Sequence, residues 1–223
     1  MLAENIKAVL FDFGGVVLTS PFDAFARHEE AEGLPAGIIR NINATNPDDN
    51  AWARFERSDV DAAGFVELFE AEAAALGHRI SGWSVLELIS GDVRPFMVEA
   101  IRRVKSAGFI TACLTNNFTG DARPPTNPER EAEVRSVMSL FDHVVESSVI
   151  GVRKPEADFY LKALEIVGVT AAESVFLDDL GINLKPARAM GMTTIKVVDP
   201  HVALAELAAV IGVDLDSRSA GSN

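Results

Sequence analysis

The feature that most constrains how this chain can fold is a set of short apolar runs, each of which stops abruptly on a polar residue. Residues 6–11 (IKAVLF) stop at Asp12, 109–114 (FITACL) at Thr115, 175–177 (VFL) at Asp178 and 193–198 (TTIKVV) at Asp199, with a weaker run at 143–145. Apolar runs without a polar alternate describe strands covered on both faces, which is the situation of a parallel sheet sandwiched by helices. The intervening segments carry helical spacing. Residues 95–107 have Pro95 placed for a first turn and Gly108 for a C-terminal stop, and 155–167 have Pro155 and Gly168 in the same roles. The apolar face of the second helix is expected to hold Phe159, Ala163, Ile166 and Val167, and Thr170 with Glu173 has capping-box spacing. Segments 183–190 and 201–211 continue the alternation. The pattern predicts an α/β fold: a parallel sheet core with helices on both faces.

Residues 20–90 break this rhythm. They contain no strand pattern, but hold helical stretches such as 60–76 (VDAAGFVELFEAEAAAL) and an expected loop at 41–50 (NINATNPDDN). The expected organisation is a small helical cap, residues 20–90, inserted into a core made of residues 1–19 and 91–223. Trp52 and Trp83 are expected in cap-core packing rather than lining the cap side of a pocket. Residues 120–129 read as a polar, Pro-rich loop, and the tail 214–223 as frayed.

Charge sets a condition on function. The 223 residues include 33 acids and 20 Lys or Arg, a net charge of -13. So acidic a surface argues against nucleic acid or anionic membrane as a partner. An anionic substrate would need positive charge gathered locally, from Lys, Arg, backbone N–H groups or a metal. Cys113 is the only cysteine, which rules out an intramolecular disulfide and a Cys-built zinc site. With no secretory leader pattern and no long apolar stretch, the expected location is cytoplasmic. His28, His78, His143 and His201 lack ligand spacing and read as structural or surface residues.

In a parallel α/β sheet, ligands bind outside the carboxyl ends of the strands. Asp12, Thr115, Asp178 and Asp179 all fall just past predicted strand ends, and Lys154 falls in a loop before a helix. These residues match the needs of phosphoryl transfer: an in-line nucleophile, neutralised phosphate charge and a proton for the leaving oxygen. Asp12 can supply a carboxylate nucleophile. Asp12, Asp179 and a backbone carbonyl offer hard oxygen ligands for Mg²⁺. Lys154 can neutralise the phosphate and keep Asp12 ionised, while Thr115 and Asn116 can donate hydrogen bonds to phosphate oxygens.

The segments FDFGGV (11–16), LTNN (114–117), RKP (153–155) and FLDDLGINLKPARAMGM (176–192) resemble, in type and order, the four motifs of the haloacid dehalogenase (HAD) superfamily. With VESSVIGVRKP (145–155), the last segment closely resembles the N-terminal phosphatase domain of soluble epoxide hydrolase, and it also resembles the HAD-like domain fused to some acyl-CoA dehydrogenases. The resemblance implies a Rossmann-like core with a helical cap inserted after the first motif. It implies Mg²⁺-dependent hydrolysis of a small phosphorylated metabolite through an aspartyl-phosphate intermediate. Asp12 becomes the nucleophile, Thr115 and Asn116 the phosphate binders, and Lys154 the clamp on phosphate and carboxylate. Asp179 becomes a metal ligand, Asp178 a ligand or outer-shell partner, and Asn183 a supporting polar residue.

One position departs from the pattern. Phosphatases of the superfamily usually carry a second Asp two residues after the nucleophile, acting as general acid and base. Here that position is Gly14. Its backbone carbonyl remains able to bind Mg²⁺, but the proton donor is missing, and a positive φ at Gly14 would strain any restored Asp. Two rival readings follow: a C–halogen hydrolase, or a phosphate-binding or interaction module without turnover. Dehalogenation needs no Mg²⁺, which the paired acids at 178–179 argue against. Phosphonate chemistry would need a lysine from the cap, and residues 20–90 contain none. Arg123, in the Pro-rich loop, reads as a solvated arginine.

Overall fold

The computed structural model describes residues 5–89, 91–117 and 128–215. Arg123, most of the Pro-rich loop and most of the tail lie outside the described residues. The strands are β1 (Ala8–Phe11), β2 (Ile110–Thr115), β3 (His143–Glu146), β4 (Ser174–Asp178) and β5 (Thr193–Lys196). They form one sheet in the order β3-β2-β1-β4-β5, and every pairing is parallel.

The unbroken apolar runs are explained by burial on both sides. Along β1, Val9 and Phe11 join an apolar cluster with Cys113, Val175, Leu177 and Ile195, while Ala8 and Leu10 join another with Ala112, Leu114 and Phe176. Two helices, α6 (Pro95–Ser106) and α11 (Pro200–Ile211), cover the first face. The second is covered by α9 (Ala157–Val167) and α10 (Gly181–Ala189). Burying the side chains of both faces is the main stabilising contribution, at about 25 cal/mol per Å² of apolar surface.

The chain runs from β1 outward through β2 to β3, then returns to place β4 and β5 on the other side of β1. The direction of winding therefore reverses at β1. A crevice at the carboxyl ends of β1 and β4 is the geometric consequence, and it is where ligands bind in open α/β sheets.

Between β1 and α6 the chain leaves the sheet as a helical insertion: α1 (Pro21–Ala31), α2 (Ile38–Ala44), α3 (Ala51–Glu56), α4 (Ala62–Ala75) and α5 (Gly82–Leu88). These helices bury their own cluster, in which Phe25, Ile39, Phe55, Phe65, Phe69 and Leu86 are central. The outgoing and returning connections lie side by side, through an antiparallel bridge between Leu18 and Val93 and a bond from Thr19 N to Asp92 O of 2.8 Å. The helices α7 (Pro128–Met138) and α8 (Ser147–Ile150) flank β3.

Four local expectations differ from the structure. Residues 41–44 belong to α2 rather than to a loop, because Ile42 is buried with Ile38 and Ile39, and Glu29 accepts from Gly37 N and Ile39 N at the start of that helix. Pro155 precedes α9 instead of opening it; Glu156 is the N-cap, and Glu156 N donates to Arg153 O in a turn over 153–156. Ile166 is 43% exposed, since the buried stripe of α9 is centred between Phe159 and Tyr160 and leaves Ile166 at its margin. Trp83, in the first turn of α5, is 45% exposed, whereas Trp52 packs against Phe65 with ring centroids 4.6 Å apart. The Thr170–Glu173 capping box is present, around a short 3₁₀ turn at Ala171–Glu173.

Candidate active site

Asp12 follows the last residue of β1, where the chain must turn out of the sheet. Its backbone is extended (φ -65, ψ 157), and its Oδ1 accepts from Phe13 N at 2.7 Å. Beyond it, residues 13–17 form one wide turn closed by Leu18 N on Phe13 O. Gly15 is the position that needs to be glycine. Its φ is +76, and a Cβ there would lie 2.3 Å from Asp179 Oδ2. The Asp179 carboxylate is therefore packed directly over the backbone of the loop that follows Asp12.

Lys154 comes from the turn before α9 and is 1% exposed. Its Nζ lies 2.7 Å from Asp12 Oδ1 and 2.8 Å from Asp178 Oδ2. Burial disfavours its charge, but Asp12 and Asp178 outweigh burial and hold the ammonium well above the usual lysine range. Asp12 shows the other side of the balance. Burial, and after it the neighbouring Asp178 charge, push its carboxyl well up, against the opposing pull of Lys154. Asp179 is pushed up to about 6 by burial and by Asp178. One ammonium thus faces more carboxylate than it can neutralise.

Asp178 is fully buried, and donors surround it. It accepts from Leu180 N at 2.8 Å, from Lys154 Nζ, and from Asn183 Nδ2 at 3.1 Å to each oxygen. Asn183 lies inside α10, whose N-cap is Leu180, so its side chain serves Asp178 and not the helix end. Tyr160 Oη fixes the Asn183 carbonyl at 2.6 Å.

Thr115 ends β2 and is buried, with Oγ1 donating to Asn116 O at 3.3 Å. The Asn116 side chain is engaged within the protein. Its Oδ1 accepts from Lys154 N at 2.8 Å and its Nδ2 donates to Lys154 O at 2.9 Å, so its side chain holds the Lys154 backbone. Gly14 is extended (φ -68, ψ 133), and a Cβ there would meet nothing within 4 Å. The positive φ of this loop belongs to Gly15. None of the four histidines joins the carboxylate cluster, and His201 stacks on Phe96.

Sequence reasoning missed Arg94. From the first residue before α6, its Nη1 donates to Gly15 O, Val16 O and Leu18 O at 2.7, 2.9 and 2.8 Å. This guanidinium ties the loop after Asp12 to the returning connection and adds positive charge on the Asp179 side. An arginine before a helix proline carries no spacing signal that would single it out.

The donor set fits a hard divalent cation. Asp12, Asp178 and Asp179 each present an oxygen within 4.8 Å of the others, and their mutual repulsion is what a dication would relieve. Because Asp178 already has protein donors on both oxygens, Asp12 and Asp179 have the greater capacity to bind metal.

The haloacid dehalogenase-like hydrolase family model matches residues 6–191, and the chain belongs to that family. It is similar to acyl-CoA dehydrogenase family member 10 of Mus musculus, 34% identical over 95% of this chain and 20% of that protein. It is 32% identical to bifunctional epoxide hydrolase 2 of Sus scrofa, over 94% of this chain and 40% of that protein. It therefore spans well under half of either relative. A relative of comparable length is phosphatase MT3486 of Mycobacterium tuberculosis, 31% identical over 84% of this chain and 85% of that one. Among solved structures, a HAD family enzyme of Bacteroides thetaiotaomicron, in complex with magnesium and inorganic phosphate, shares the fold. Its TM-score is 0.56 and its identity 19%, over 86% of this chain and 93% of that one.

Two expected outcomes follow from the charge balance. Lys154→Met leaves Asp12 and Asp178 buried without their cation, a loss of about 3–5 kcal/mol for breaking a buried pair; thermal unfolding should show a large drop in Tm. Asp179→Asn should act in the opposite direction on the metal-free protein. The Asp179 carboxyl is raised in the folded state, from 3.8 to about 6. The folded state therefore holds a proton that the unfolded state has lost, and stability falls as pH rises across that window. The Asn variant removes this pH-dependent loss. Its metal-free Tm at neutral pH should equal or exceed that of the wild type while Mg²⁺ affinity, read by calorimetry, falls. A lower Tm without metal would show that Asp179 supports the fold.

Proposed function

We propose that this hydrolase is a Mg²⁺-dependent phosphatase that cleaves a small phosphorylated metabolite through an aspartyl-phosphate on Asp12. The observation that carries the reading is the division of labour on the Asp12 carboxylate. Oδ1 is anchored by Phe13 N and Lys154 Nζ, which aims the side chain and leaves Oδ2 for attack on phosphorus. A phosphatase relative of similar length supports the same chemistry.

In this reading Lys154 draws charge from the phosphoryl oxygens and from Asp12 as the bond to phosphorus forms. Thr115 Oγ1, whose contact with Asn116 O is long at 3.3 Å, turns its hydrogen to a phosphoryl oxygen. Asp178, held by Asn183 and Leu180, fixes the Lys154 ammonium in place. Asp12, Asp179 and the Gly14 carbonyl would hold Mg²⁺, with Asp178 as an outer-shell partner; the ion supplies electrostatic stabilisation of the transferring phosphoryl group. The helical insertion would serve as the cap that sets substrate choice.

The decisive experiment is a screen of the purified protein against phosphorylated metabolites with Mg²⁺ and with EDTA, alongside a halide-release assay. Metal-dependent phosphate release supports the reading. Halide release without phosphate release, or phosphate release that is indifferent to EDTA, overturns it.

A further inference from the structure

We infer that Glu56, at the end of α3 in the helical insertion, is a positioning residue that sets Lys154 through Asn116; the kinetic part of the inference rests on the phosphatase reading. The Asn116 amide has two hydrogens and one carbonyl oxygen. The oxygen accepts from Lys154 N, one hydrogen goes to Lys154 O, and the other goes to Glu56 Oε2 at 3.0 Å. Glu56 thus saturates the group that grips the Lys154 peptide from both sides. The same Oε2 accepts from Arg153 Nε at 2.5 Å, and the two side chains are only 15% and 17% exposed. The Glu56 carbonyl accepts from Ser147 Oγ at 2.6 Å. One residue of the insertion therefore meets the end of β2, the start of α8 and the turn carrying Lys154.

The consequence is a coupling. Lys154 Nζ bridges Asp12 and Asp178, so a small shift of its backbone moves the ammonium away from the nucleophile. The Glu56 contacts exist only while the insertion is seated on the sheet edge. Seating the insertion completes the hydrogen bonding of Asn116 and so fixes Lys154. Pairing with Glu56 also keeps the Arg153 guanidinium on the insertion side, leaving Lys154 as the cation between the two aspartates.

The adjacent residue provides the control. Arg57 also joins the insertion to the core, through Glu156 at 2.9 Å, but has no contact with Asn116 among those described. Three variants should be compared: Glu56→Ala, Glu56→Gln, which keeps an acceptor for Asn116, and Arg57→Ala. Steady-state kinetics on an aryl phosphate and amide hydrogen exchange at Lys154 are the readouts, with Cys113 and Leu177 amides reporting on the fold. Misplacing a reacting group by an ångström costs up to about 10²-fold, so Glu56→Ala should lower kcat at least about tenfold, with a smaller effect on KM. Its Lys154 amide should lose at least about tenfold in protection while the two strand amides stay protected. Glu56→Gln should recover most of both losses, and Arg57→Ala should show neither. Wild-type kcat and Lys154 protection in Glu56→Ala, or equal losses in Arg57→Ala, would overturn the inference. If the wild type hydrolyses no phosphate ester, the phosphatase reading fails while the exchange experiment still decides the role of Glu56.

Discussion

Asp12→Asn is expected to abolish turnover of an aryl phosphate, by on the order of 10⁴-fold or more, while the protein stays folded. The substitution is close to isosteric. The Asn carbonyl takes the place of Oδ1 and still accepts from Phe13 N and Lys154 Nζ, the bonds that orient the side chain. The amide nitrogen takes the place of Oδ2, so the proposed nucleophilic oxygen is lost with little change in shape. One of three crowded carboxylates also disappears. Asp178 remains as the buried partner of Lys154, and Asp178 and Asp179 repel the Asp12 carboxylate. Its removal should therefore leave the metal-free Tm unchanged or raised. Kinetics, Tm and trapping of a phosphorylated enzyme by mass spectrometry check this together. Residual hydrolysis near the wild-type rate would place the nucleophile elsewhere, and a collapse of Tm would show that Asp12 is needed for folding.

Much of this site could be read from the sequence because strand ends announce themselves. A doubly buried strand must be apolar until it leaves the sheet, so Asp12, Thr115 and Asp178 stand out as the first polar residues after such runs. Parallel topology then brings those ends to one edge, with Phe11 beside Leu177 and Cys113 in register. Lys154 and Asn183 lie off the strands, and only their motif context pointed to them. Arg94 and Glu56 were not legible. Their contacts span 60 to 97 residues of sequence and depend on how the insertion and its connections sit against the sheet. Local pattern carries no information about such packing. Asn116 illustrates the intermediate case: its position followed from the strand end, whereas its side-chain partner, the Lys154 backbone, follows from the tertiary arrangement. The helical start of the expected 41–50 loop has a similar origin. Its asparagines read as loop residues, but Ile42 is buried within the insertion's own core, and that burial favours helix over loop.

In the proposed phosphatase reaction, Gly14→Asp is expected to change which leaving groups can be expelled. The resemblance to superfamily phosphatases places a general acid at this position, and here there is no side chain to donate a proton. The wild type should therefore prefer leaving groups that depart as stable anions, such as aryl or acyl phosphates, with rates falling steeply as leaving-group pKa rises. The structure removes the objection that an Asp would be strained. Gly14 has φ -68 and ψ 133, ordinary extended values, and a Cβ there meets nothing within 4 Å. The strained position is the neighbouring Gly15, which the variant leaves intact. A restored carboxylate would enter a site already rich in acid, so desolvation and neighbouring charge should raise its pKa, which suits a proton donor near neutral pH. Positioned general acid catalysis contributes about 10²–10⁴-fold, so poor leaving groups such as alkyl phosphates should gain up to that range while aryl phosphates gain little. The same carboxylate should speed hydrolysis of the aspartyl-phosphate by activating water, visible as a smaller burst in pre-steady-state kinetics. A leaving-group series measured on both proteins, with the fold of the variant verified by circular dichroism, decides the matter. A steep slope in the wild type that flattens in the variant supports the missing-acid account. A flat slope in the wild type means that another residue already supplies the proton, and the account of Gly14 fails while the assignments of Asp12 and Asp179 stand on their own tests.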